Sequence, residues 1–105
     1  MIRALVPLLL AATPALAFDG TYGNCAGTGD AVPLRIDGDT IQFYESSCQM
    51  TNPVLVRDMD GAVLFDFVCA GEGEEWTERA FVQWAHDGGL ILVWRGVAET
   101  LPRCP

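Results

Sequence analysis

The stretch VCAGEGEEWTERAF, residues 68–81, sets the carboxylates of Glu72, Glu74 and Glu75 around a glycine turn, directly in front of Trp76. Carboxylates this close together offer hard oxygen ligands, and an exported module can use such a turn to bind calcium with a dissociation constant of about 10⁻⁴ to 10⁻³ M. The plainer reading is the solvated end of a hairpin, because glutamates prefer water. Glu45 is a second candidate. It continues the phase of Ile41 and Phe43, so a strand reaching that far turns its carboxylate inward near Cys48, where it needs backbone donors or an arginine such as Arg57 or Arg79. A strand that stops earlier leaves Glu45 to accept bonds from turn amides. Glu45, Glu72, Glu74, Glu75 and Trp76 are therefore the candidate ligand-binding residues. None is assigned as catalytic or as a metal ligand.

Other chemistries find little material. Nucleophilic catalysis needs a base held within reach of the nucleophile, and the sole histidine, His86, sits in a polar turn beside Asp87. Ser46 and Ser47 complete a Ser-His-Asp grouping on paper only. The chain has no lysine, which removes Schiff bases and P-loops; GNCAGTGD carries the glycines of a phosphate cradle without its GK[ST], and reads as a loop tethered by Cys25. Asp58 and Asp60 in DMDG, and Asp37 and Asp39 in DGD, start like an EF-hand loop, but the later ligands and the final glutamate are missing at the required spacing. A paired acid and base needs a cleft that dehydrates one member, and so short a chain has little from which to build walls. The expectation is a protein that is not an enzyme and carries no cofactor.

The elements that position these residues are strands. Turn signals recur roughly every ten residues, and β-branched and aromatic residues fill the intervals. Strands are expected at residues 20–24, 34–36, 40–45, 54–59, 62–69, 76–85, 90–95 and 99–103. Asp60-Gly61 is the strongest hairpin signal, because a two-residue turn needs positive φ at both positions. Alternation places Val63, Phe65, Phe67 and Cys69 on one face and Leu64, Asp66 and Val68 on the other. LILVW, residues 90–94, is apolar on both faces and is expected to be covered on both. Trp76, Ala80, Val82 and Trp84 share a face, with Phe81 opposite. Packing against another layer is the plain account of these aromatics; the sharper one is a patch with Leu64, Val68, Ile91 and Val93 for a partner or a second copy. The expected fold is all-β, a small antiparallel meander closed as a barrel or a two-sheet sandwich, with the barrel preferred because it removes sheet edges.

Composition sets the compartment. MIRALVPLLLAATPALA, residues 1–17, has a positive start, a short apolar run and an Ala-x-Ala end, the form of a secretory signal cleaved before Phe18. The apolar run falls short of the ~20 residues that span a bilayer, so no membrane anchor is expected. Residues 18–105 then form one small domain that needs crosslinks. Cys25, Cys48, Cys69 and Cys104 are even in number with no CxxC, which favours two disulfides over a zinc site. A barrel brings its first and last strands together, which favours Cys25 with Cys104 and Cys48 with Cys69, although four cysteines allow three pairings. Without the signal, five arginines face fourteen carboxylates, a net charge of −9. Such a surface repels nucleic acid and anionic lipid and favours a basic partner.

The landmarks GTYGNC, YESSC, CAGEGEEW and the terminal PRC together resemble an uncharacterised family of small exported bacterial proteins. These carry a glutamate shortly before the second cysteine, a GEGE-type acidic turn after the third, and an arginine-cysteine ending. The resemblance covers nearly all of residues 18–105 and implies export and a disulfide-stabilised β domain. It brings no activity, cofactor or partner with it. The expected role is thus a periplasmic or secreted, non-enzymatic β module acting as a binding or interaction protein. Its alternatives are an acidic inhibitor of a basic exported hydrolase, such as a lysozyme or protease, and a weak calcium or small-ligand binder at Glu45, Glu72 and Glu74.

Overall fold

The computed structural model describes residues 18–26 and 32–105; the expected signal, 1–17, and residues 27–31, which include the second half of the GNCAGTGD loop, lie outside them. Eight strands follow one another as antiparallel neighbours in one sheet: β1 (Gly20–Tyr22), β2 (Leu34–Asp37), β3 (Thr40–Gln42), β4 (Ser46–Leu55), β5 (Val63–Gly71), β6 (Glu74–Trp84), β7 (Leu90–Trp94) and β8 (Val97–Leu101). The sheet curls until its ends meet. Tyr22 bridges Arg103, the Gly23 amide donates to the Pro102 carbonyl at 2.8 Å, and the Cys104 amide donates to the Thr21 carbonyl at 2.8 Å. Of the two expected architectures, the nearly closed barrel forms.

Alternation decides what fills it. Inward residues include Ile36, Ile41, Met50, Phe65, Phe67, Val82, Leu90 and Leu92, all buried. An eight-stranded barrel has an interior just wide enough for side chains, so the lumen is a core and not a channel. Phe18, ahead of β1, is buried at one end, its ring 5.4 Å from Trp84 and 6.4 Å from Phe65. At the other end Phe43 stacks on Trp94 at 4.8 Å, and Trp94 meets Phe67 edge-on at 5.5 Å.

Both expected disulfides form. Cys48 and Cys69 are direct cross-strand partners on β4 and β5 and are buried inside the barrel. Cys25 and Cys104 lie beside the join between the first strand and the end of the chain. There Arg103 stacks its guanidinium over Tyr22 and Trp84, and donates to the Tyr22 hydroxyl and the Asp19 carbonyl, each at 3.1 Å.

Four expectations need correction. The third strand stops at Gln42, and the next runs from Ser46 to Leu55 in place of 54–59. Its polar residues and Pro53 hide it, and the structure accommodates the proline in a bulge: register shifts between Thr51 and Val54, with Asn52 at φ 53°. Asp60-Gly61 is no two-residue turn. It belongs to a longer loop held by bonds from Val56 to Ala62 and from Ala62 to Met59, with Asp58 and Gly61 at positive φ. The turns with two positive φ values are Glu72-Gly73 (50° and 80°) and Arg95-Gly96 (54° and 75°). Finally, LILVW is covered on one face only, since a barrel wall is one layer: Leu90 and Leu92 are fully buried while Val93 is 38 % exposed.

The crosslinks span separations of 79 and 21 residues. Chain entropy then assigns about 4.5 kcal/mol to the outer one and about 3.4 kcal/mol to the inner. Replacing Cys25 and Cys104 together by serine should lower unfolding stability by roughly that larger amount, read from urea titrations fitted with each protein's own m-value, which should rise as the unfolded chain expands. A loss under about 1 kcal/mol would show that the join closes without its crosslink.

Candidate functional site

Two hairpin ends meet at one rim of the barrel. The β3–β4 turn is closed by the Phe43 amide donating to the Ser46 carbonyl at 2.8 Å, and Ser46 opens β4 opposite Gly71, the last residue of β5. Gly71 is needed for that approach. A Cβ placed there would lie 2.6 Å from the Ser46 Cβ and 2.7 Å from the Glu45 carbonyl oxygen. This contact sets Glu45 beside the Glu72-Gly73 turn. β6 then starts with Glu74 opposite Gly71 and sends Trp76 inward opposite Cys69.

The result is an open recess of about 350 Å³ lined by Glu45, Ser46, Gly71, Glu72, Glu74, Trp76 and Arg95. Four of the five candidate residues therefore converge. Glu75 does not: it pairs with Ala70 in the outward row, on the other face of the strand. Glu45 accordingly lies past the end of its strand and is exposed, and the arginines considered for it are engaged elsewhere, Arg57 with Asp58 at 3.7 Å and Arg79 with Asp66 at 2.9 Å.

Arg95, Glu78 and Trp94 complete the rim and were not among the sequence candidates. Arg95 Nε lies 3.3 Å from Glu78 Oε2, which also accepts a 2.7 Å bond from Trp76 Nε1. The Arg95 guanidinium faces the rings of Trp76 at 5.7 Å and Trp94 at 5.6 Å. Its charge is thus matched by Glu78 and two aromatic faces. Among the described residues no ion pair reaches Glu45, Glu72 or Glu74. Glu45 hydrogen-bonds the Glu72 carboxyl; this bond, the charge of Glu72 and some loss of water raise its pKa above the ordinary carboxylate value. Two carboxyls sharing a proton mark a place where negative charge is crowded.

Other candidates stay apart. Ser46 and Ser47 lie where β4 meets the end of β5, whereas His86 follows the far end of β6, so register keeps the Ser-His-Asp grouping from assembling. Asp58 and Asp60 border a larger recess of about 450 Å³, but one loop supplies its lining. Among the described residues no group of three or more His, Cys, Asp or Glu is placed to hold a metal ion.

The sign of the pH effect follows from the Glu45 shift. The folded chain holds this proton more tightly than the unfolded chain, so the carboxyl–carboxylate bond contributes at low pH and is lost as pH rises through the raised value. In a carbon-detected NMR titration, Glu45 should titrate above the ordinary glutamate value, and Glu72→Gln should bring it down. An ordinary Glu45 titration in the parent protein would separate the two carboxyls. No family model, curated protein or solved structure matches this chain, so the reading of the rim rests on its own residues.

Proposed function

We propose that this protein is an exported, non-enzymatic binding module, periplasmic or secreted, whose acidic rim receives a basic group of a partner protein. The observation that carries this reading is the convergence of Glu45, Glu72 and Glu74, from two separate hairpins, around Trp76, with Arg95 already matched by Glu78. A recess of this size is at the small end of ligand sites and suits a side chain more than a cofactor. A filled barrel core leaves recognition to the surface. Export is supported by the two disulfides, which persist in oxidising compartments, and by the form of residues 1–17. Among the described residues no helix is long and apolar enough to cross a membrane.

The net charge of −9 on residues 18–105 steers basic proteins toward encounter, and basic exported hydrolases, lysozymes or proteases, are the partner class that fits. Inhibition of such an enzyme follows if the rim covers its basic surface. Calcium binding is the weaker reading, since the carboxylates here do not form a metal-holding group among the described residues.

The test uses oxidised residues 18–105 on a sensor surface with a panel of basic lysozymes and proteases. One or more should bind at about 0.05 M salt and weaken at least about tenfold by about 0.5 M. Combined Glu45→Gln, Glu72→Gln and Glu74→Gln substitution should weaken binding similarly, while Glu75→Gln should change it little. Binding that ignores the triple substitution, or no binding across the panel, would overturn the assignment.

A further inference from the structure

We propose that the Cys25–Cys104 crosslink is a redox latch, which a dithiol reductant opens in the folded protein, freeing the end of the chain from β1 while Cys48–Cys69 stays intact. The inference does not depend on what the acidic rim binds. The two crosslinks meet solvent differently. Cys48 and Cys69 are each 1 % exposed, and the inward row that holds them continues to Ile41 on one side and Trp76 on the other. No thiolate reaches these sulfurs until the strands part. Cys25 is exposed and Cys104 half-buried, and both stand outside the hydrophobic core. Thiol–disulfide exchange needs a thiolate to reach a sulfur, so the native fold offers one crosslink to a reductant and withholds the other.

The exchange has two steps. One thiolate of the dithiol attacks the exposed Cys25 sulfur, forming a mixed disulfide and releasing the Cys104 thiolate. The reductant's second thiolate attacks its own sulfur in that mixed disulfide, releases the Cys25 thiolate and leaves the reductant as a disulfide. Two electrons pass to the protein, and the two protons of the dithiol end on Cys25 and Cys104. A disulfide oxidant runs the same steps backward and closes the latch. Once it is cut, the junction keeps the Tyr22–Arg103 bridge, its two backbone hydrogen bonds and the Arg103 stack. β1 has three residues, whereas β4, β5 and β6 have 10, 9 and 11, and β4 and β5 are still tied to each other by Cys48–Cys69. Short segments at a sheet end open at lower free energy than long core strands, so the junction gives way before the sheet does.

Timed reduction of oxidised residues 18–105 with dithiothreitol, trapped with iodoacetamide and mapped by peptide mass, tests the latch. The first species with two labels should carry them on Cys25 and Cys104. Its initial rate of formation should exceed that of labelling at Cys48 and Cys69 by at least about a hundredfold, since the inner pair must wait for the barrel to open. In that labelled species the amides of Gly23 and Cys104 should exchange hydrogen at least about tenfold faster than in the oxidised protein, while amides of β5 stay protected. First labels on Cys48 or Cys69, or equal rates for the two pairs, overturn the proposal. So does unchanged protection at Gly23 and Cys104, or loss of protection throughout β5, because the crosslink would then hold nothing in particular or the whole fold.

Discussion

An eight-stranded sheet that does not close exposes two rows of unpaired backbone groups, and here the junction of residues 21–23 with residues 102–104 brings the two ends of the sheet together. Three interactions converge on it: the Tyr22–Arg103 bridge with its two backbone hydrogen bonds, the Cys25–Cys104 crosslink, and Arg103 stacked on Tyr22 and Trp84. Tyr22 is the hub. Its hydroxyl donates to the Phe18 carbonyl at 2.5 Å and accepts from Arg103. Burial raises its pKa, and the nearby guanidinium opposes that rise, so the phenol stays protonated as the network requires. Phe18 is thereby held over the end of the barrel, and the core below it is sealed.

Closure dictates how the surface is divided. In a one-layer wall most strands turn one face to the core and the other to water, whereas β8 stays exposed along residues 97–100. Polar chemistry then collects where strands end. At one rim the β3–β4 and β5–β6 turns bring glutamates from two parts of the chain together. A tryptophan dyad beneath them holds the one arginine of that recess. The wall between the ends carries a single matched ion pair and a row of apolar side chains. Acidic rim and largely apolar outer wall are thus two chemically different surfaces.

Much of this was legible in the residues, for physical reasons. Period-two alternation in VLFDFVC survives folding unchanged because one of its faces is fully buried, and the even cysteine count fits the two crosslinks that form. SSCQMTNPVL was illegible as a strand because packing and a bulge, not propensity, make it one. Arg95-Gly96 was missed as a turn since arginine at positive φ is uncommon and no propensity flags it. For the rim, a signal was present and unused. Once Cys48 faces Cys69 in an antiparallel pair, Glu45 and Glu72 fall three residues beyond it on either side and must come together. Arg95 had no such signal, because its place depends on how far the sheet curls.

The closure itself is open to direct measurement through hydrogen exchange of two backbone amides, Gly23 and Cys104, which donate across the junction. In the oxidised protein both should exchange as slowly as amides of β5 and β6, opening only when the whole barrel unfolds. Exchange of either at the rate of a free loop amide would mean that the sheet stays open between its first and last strands, and would contradict the account.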